Sequence, residues 1–215
     1  MRTRITELLG IRYPIIQGGL QGLGRAELAA AVSAAGGLGL ITAGCFETRS
    51  ELEAEIARAR VLTDQPVGVN ISIGSRRTMS EFVDCICELG VRIVFTSGNN
   101  PEPFVERFKR HGMIWVHVAP AVRFAQKAQQ LGADGVVLVG FEAGGHPGMD
   151  DVALSVLVRK GSTELEIPVI AAGGISDGRS LVAALAWGAE GVQIGTRFVL
   201  TRETVLHPGI KQALQ

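Results

Sequence analysis

A single histidine, His146, stands among four glycines in the stretch Gly140-Phe141-Glu142-Ala143-Gly144-Gly145-His146-Pro147-Gly148. Imidazole titrates near neutrality, so a histidine held by a glycine-rich loop can take or give a proton, or simply donate to a nearby carbonyl at the surface. No serine or cysteine nucleophile is evidently paired with it, and a hydrolytic triad has little support. A second kind of chemistry is written in Ala171-Ala172-Gly173-Gly174-Ile175-Ser176-Asp177-Gly178 and in Gln193-Ile194-Gly195-Thr196-Arg197. Glycines beside a helix start expose backbone N–H groups to a phosphate dianion and let it come close, although the same glycines can also serve only as tight turns. Ser176 or Asp177 can cap the next helix.

Two more positions could meet a ligand. Asn70 ends an apolar run, where its amide can donate and accept at a ring edge. Gln17-Gly18-Gly19 closes the first run and offers close backbone approach under a planar ligand, or merely a turn. His117 falls inside an apolar run and reads as a satisfied wall residue. Cys85-Ile86-Cys87 lacks the matching Cys or His pair that a tetrahedral metal site needs, so the cysteines read as structural and no metal is expected.

These residues must be positioned by something, and the pattern around them says what. Apolar runs rich in Val and Ile occur at 14–17, 38–42, 67–72, 93–96, 114–119, 135–139, 168–172 and 191–195. They lack period-two alternation, as strands buried on both faces do. Between them, 26–35, 50–62, 79–89, 103–110, 122–131, 153–160 and 177–187 repeat apolar residues at three and four, as crossover helices do. Eight runs predict a (β/α)8 barrel formed by one domain over residues 1–215, with an open five- or six-strand sheet as the alternative. The residues beyond the eighth run suffice for one short helix, so the last helix is expected to be marginal or missing. In such a barrel the residues just after each strand form the active site, and loops seven and eight form the common phosphate site.

Composition agrees with this and narrows the function classes. Glycine supplies 28 of 215 residues, and many end helices ahead of a strand, as in Leu89-Gly90, Leu131-Gly132 and Trp187-Gly188. The 21 basic and 21 acidic side chains cancel, and Arg76-Arg77 and the basic residues of 107–110 are isolated clusters, so nucleic acid is not an expected partner. An odd count of three cysteines, no signal-like start and no long apolar stretch predict a cytoplasmic chain that does not span a membrane.

Taken together, "YPIIQGGL", "AAAVSAAGGLG", "LTDQPVGVNI", "GFEAGGHPG", "PVIAAGGISDGRS" and "GAEGVQIGTRFVLTRE" resemble the nitronate monooxygenase (2-nitropropane dioxygenase) family of FMN-dependent TIM barrels, with the FMN-dependent enoyl-ACP reductases as near relatives. The resemblance runs along nearly the whole chain. It implies FMN as cofactor, a small-molecule substrate and His146 as catalytic base. It places Asn70 and Gly144 at the flavin, and Gly173, Gly174, Gln193, Ile194, Gly195 and Thr196 at its phosphate. Gln17, Gly18, Gly19 and Gly145 then fall where the cofactor would press on backbone. The implied reaction is oxidation of alkyl nitronates or nitroalkanes with oxygen. The alternatives are an NAD(P)H-dependent flavin reductase of enoyl-ACP or quinone type, and an inactive flavin-binding remnant or partner subunit.

Two departures from the family pattern stand out. "QGGL" replaces an Ala-Pro-Met sequence and looks more like the reductase branch, and Val139 occupies a position where many members carry glutamine. The family also continues past "TRETVLHPGIKQAL" into a helical subdomain over the substrate side. Without it, an uncovered barrel edge calls for a second copy or a completing subunit.

Overall fold

In the computed structural model, which describes residues 1–74, 79–145, 148 and 150–213, all eight expected strands form. They are β1 (Ile15–Gln17), β2 (Gly39–Thr42), β3 (Val67–Ile73), β4 (Ile93–Gly98), β5 (Ile114–Ala119), β6 (Gly135–Val139), β7 (Val169–Ala172) and β8 (Gly191–Ile194). All pairings are parallel, in the order β1-β8-β7-β6-β5-β4-β3-β2. A bridge between Ile16 and Leu38 joins the two ends, so the sheet closes into a TIM barrel and the open-sheet alternative falls away.

The lack of alternation in the strands has its cause in this closure, since both faces are buried. Ile16, Leu38, Leu40, Ile93, Phe95, Val116, Val137 and Ile170 fill the barrel interior. Their neighbours Ile41, Val69, Val94, Trp115, Val136 and Leu138 face the helices instead.

The helices are α1 (Arg4–Leu9), α2 (Ala26–Ala34), α3 (Arg49–Leu62), α4 (Ser80–Glu88), α5 (Glu102–Arg110), α6 (Val122–Gln130), α7 (Leu154–Glu164), α8 (Gly178–Ala186), α9 (Thr196–Val199) and α10 (Pro208–Ala213). Helix α1 was not expected from sequence. Thr3 caps it reciprocally with Thr6, Gly10 ends it in the left-handed region, and Ile5 and Leu9 join the apolar filling of the barrel. Helix α7 runs four residues past the expected 160, because Gly161 continues it: a Cβ there would stand 2.4 Å from Leu138 Cδ1, so this glycine lets the helix lie close on β6. After β8 come two short helices rather than one.

On the outer side of β1 and β8, Ile15, Leu181, Trp187 and Ile194 are only partly buried. Cys85 and Cys87 are buried on α4 and unpaired, and Cys45 is half-buried and unpaired. No helix among the described residues is long and apolar enough to cross a membrane.

Candidate functional site

Closure of the barrel brings together residues that lie far apart in the chain. The loop after β1 passes between β8 and β3. A Cβ on Gly18 would stand 3.1 Å from Gln193 Nε2, and one on Gly19 would stand 2.4 Å from Asn70 Oδ1. Two glycines therefore form a floor flanked by two side-chain amides, which a larger residue would fill. Asn70 is buried, with Nδ2 3.4 Å from both the Phe95 carbonyl and Ser97 Oγ. Gln193, which the resemblance puts at the phosphate, stands at this floor instead, and its Oε1 is buried with no hydrogen-bond partner among the described residues. A buried acceptor left unpaired costs free energy until a donor reaches it.

The floor is held from below. Leu20 N donates to Thr42 Oγ1 at 2.9 Å, Thr42 N to the Gly24 carbonyl at 2.8 Å, and Gly22 N to Cys45 Sγ at 3.1 Å. Burial pushes the Cys45 thiol pKa up, which keeps this sulfur neutral and suited to that structural role.

Gln17, expected at the cofactor, has a different task. Its side chain is fully buried, with Oε1 accepting from Leu40 N at 3.0 Å and Nε2 donating to the Gly18 carbonyl. It fills in for the missing ladder bond at the β1–β2 seam, where the strands meet through a single bridge. Gly18 N is also engaged, donating to the Ile194 carbonyl at 3.0 Å.

The second half of the mouth is built from the loops after β6, β7 and β8. Gly173 and Gly174 have φ of 122° and 65°, which a side chain would resist. A Cβ on Gly173 would stand 3.2 Å from Ala143 N, and one on Gly144 would stand 3.7 Å from Thr196 Oγ1. Three glycine-bearing loops thus converge on one surface. Among the described residues, the amides of Gly144, Gly145, Gly173, Gly174, Gly195 and Thr196 find no hydrogen-bond acceptor. Ile194 belongs to the outer cluster, so only its backbone can face this surface.

Asp177 caps α8 by accepting from Ser180 N at 2.8 Å, and that bond, with the Ser180 hydroxyl, holds its carboxyl below the ordinary range. His146 lies outside the described residues. No cluster of three or more metal-ligating side chains occurs among the described residues.

His117 does not reach the mouth. It packs beside Trp115 on the helix side of β5, nearly fully buried. Thr96 Oγ1 accepts from Trp115 Nε1 at 2.7 Å and lies 2.8 Å from His117 Nδ1. Burial pushes the His117 pKa down to about 4, so the ring is neutral at physiological pH.

Sequence reasoning missed Thr42 and Glu142. Thr42 carries no local signal, since its partners are on the other side of the β1–β2 seam. Glu142 reaches α7, where both carboxylate oxygens accept from Leu154 N.

The mouth suits a phosphorylated planar ring: a glycine floor between amides at one side, and a surface of unpaired N–H groups at the other. The chain resembles FabK of Thermotoga maritima at 42% identity and a TM-score of 0.93, covering 99% of this chain and 67% of that one. It also resembles nitroalkane oxidase of Streptomyces ansochromogenes at 28% identity and 0.87, covering 98% and 72%.

Among curated relatives, (3aS,4S,5R,7aS)-5-hydroxy-7a-methyl-1-oxo-octahydro-1H-indene-4-carboxyl-CoA dehydrogenase of Rhodococcus jostii is 36% identical over 211 residues, covering 98% of this chain and 59% of the relative. A probable nitronate monooxygenase of Staphylococcus saprophyticus is 35% identical over 248 residues, covering 95% and 70%. The chain thus spans about three-fifths of the length of the first of these relatives. The nitronate monooxygenase profile matches residues 2–215. The chain belongs to the nitronate monooxygenase family.

Proposed function

We propose that this chain is the FMN-binding barrel of an oxidoreductase that oxidises alkyl nitronates or nitroalkanes with oxygen. The observation that carries the reading is the cradle itself: Gly18 and Gly19 between Asn70 and Gln193, with the buried Gln193 oxygen awaiting a donor. An isoalloxazine ring offers both an N–H and carbonyls at one edge, matching two side-chain amides that each donate and accept. The phosphate matches the unpaired amides of Gly173, Gly174, Gly195 and Thr196, with Gly144 and Gly145 beside them.

Bound FMN would supply the electron acceptor and pass electrons on to oxygen. The protein's own part is to hold and orient. His146, by its family position, takes the proton α to the nitro group of a nitroalkane, whereas a nitronate arrives already deprotonated.

A second reading is an NAD(P)H-dependent flavin reductase acting on an enoyl thioester or quinone. Two observations favour it. "QGGL" resembles the reductase branch, and one curated relative is named for a carboxyl-CoA substrate.

Anaerobic titration of the FMN-loaded protein separates the two. Bleaching of the flavin absorbance by an alkyl nitronate, without response to NADH or NADPH, is expected. Bleaching by a nicotinamide alone assigns the reductase activity, and a flavin that neither reagent reduces overturns the enzymatic reading.

A further inference from the structure

Glu142 stands in the loop after β6 and makes contacts that no ligand explains. Its Oε1 and Oε2 accept from Leu154 N, the first residue of α7, at 3.2 and 3.1 Å. The N-cap residue of that helix, Ala153, has no side chain able to cap it. Glu142 therefore supplies the cap from earlier in the chain, and its negative charge lies against the positive end of the helix. The excursion between them is closed at its base by Phe141 N donating to the Val152 carbonyl at 3.1 Å.

Space for this arrangement comes from glycine. A Cβ on Gly140 would stand 2.4 Å from Glu142 Oε2 and 2.6 Å from Leu154 Cβ. On its other side, a Cβ on Gly174 would stand 3.4 Å from Glu142 Cβ. One residue thus touches the loop after β6, the start of α7 and the glycine pair after β7.

We propose that Glu142 is a positioning residue that fixes the spacing between Gly144 and the Gly173-Gly174 pair, and through that spacing sets how tightly the mouth holds a phosphate group. The ligand half of this proposal rests on the FMN reading; the clamp half does not. Because the carboxylate is directed at Leu154 N, its charge is offset by the helix end rather than presented to the phosphate.

Glu142→Ala and Glu142→Gln test it in two measurements. The first, on flavin-free protein, is amide hydrogen exchange at Leu154. A first-turn N–H ordinarily lacks an acceptor within its helix. In Glu142→Ala the exchange accelerates about tenfold, whereas Glu142→Gln, whose amide oxygen still accepts, stays near wild type. Unchanged exchange in Glu142→Ala overturns the clamp.

The second is binding of FMN and of riboflavin, which lacks the phosphate. FMN affinity falls about tenfold in Glu142→Ala while riboflavin affinity holds, and Glu142→Gln restores FMN. Equal weakening of both flavins, or no weakening of FMN, overturns the phosphate role. If wild type binds neither flavin, the FMN reading and the phosphate role fail together, and Leu154 exchange still decides the clamp.

Discussion

Replacing Gly19 with alanine tests the floor of the site at one atom. Gly19 is not among the glycines with positive φ, so alanine can adopt its backbone and the effect is one of contact alone. The added methyl would stand 2.4 Å from Asn70 Oδ1 and 2.7 Å from Asn70 Cγ. That is about 1 Å inside ordinary contact distance. Flipping the amide leaves the Cγ overlap in place, so the side chain must turn about χ1. Asn70 is only 5% exposed and has no room to swing into solvent.

Overpacking of this kind costs about 1–3 kcal/mol. If the displaced amide is one that the flavin ring meets, affinity falls by about five- to 150-fold. FMN fluorescence quenching gives the dissociation constant, and thermal unfolding of the flavin-free variant confirms that it folds. A folded Gly19→Ala protein that binds FMN as tightly as wild type would refute the placement of the ring between Asn70 and Gln193.

Other predictions concern the barrel that carries the site. Gln17→Leu removes the acceptor of Leu40 N in a fully buried seam, and urea unfolding should show a loss of about 1–3 kcal/mol; unchanged stability would mean that the seam closes without Gln17. His117, with its pKa pushed down to about 4 from an ordinary 6.5, binds its proton less readily when folded than when unfolded. Its share of stability is therefore complete above pH 6.5 and is lost as pH falls toward 4, by about 3 kcal/mol in all. NMR titration of the His117 ring beside urea unfolding at several pH values measures it, and a folded-state pKa near 6.5 would contradict the burial argument.

Much of this architecture was legible because a barrel strand is marked by what it lacks. Runs such as Gly135–Val139 and Ile114–Ala119 show no alternation, and burial on both faces is the reason. Helix α1 was missed because six residues are too few to establish a helical period, even with Thr3 and Gly10 at its ends. Gly161 reads as a stop although it continues α7, since a glycine that ends a helix and one that lets it approach β6 look alike in sequence.

At the site, Gly173 and Gly174 could be singled out because they follow a strand, and Asn70 and Gln193 because each is a polar residue within an apolar strand run. Gln17 shared that position, and its side chain proved to be turned into the β1–β2 seam. Glu142 gave no sign, because the group it caps lies twelve residues on and the glycine it packs against belongs to another strand loop.

Equilibrium dialysis of the purified flavin-free protein against FMN and riboflavin tests the central claim most directly. A mouth built from a glycine floor and a surface of unpaired amides binds one FMN per chain, and binds it more tightly than riboflavin because the phosphate meets those amides. Absence of stoichiometric FMN binding, or equal affinity for the two flavins, would contradict it.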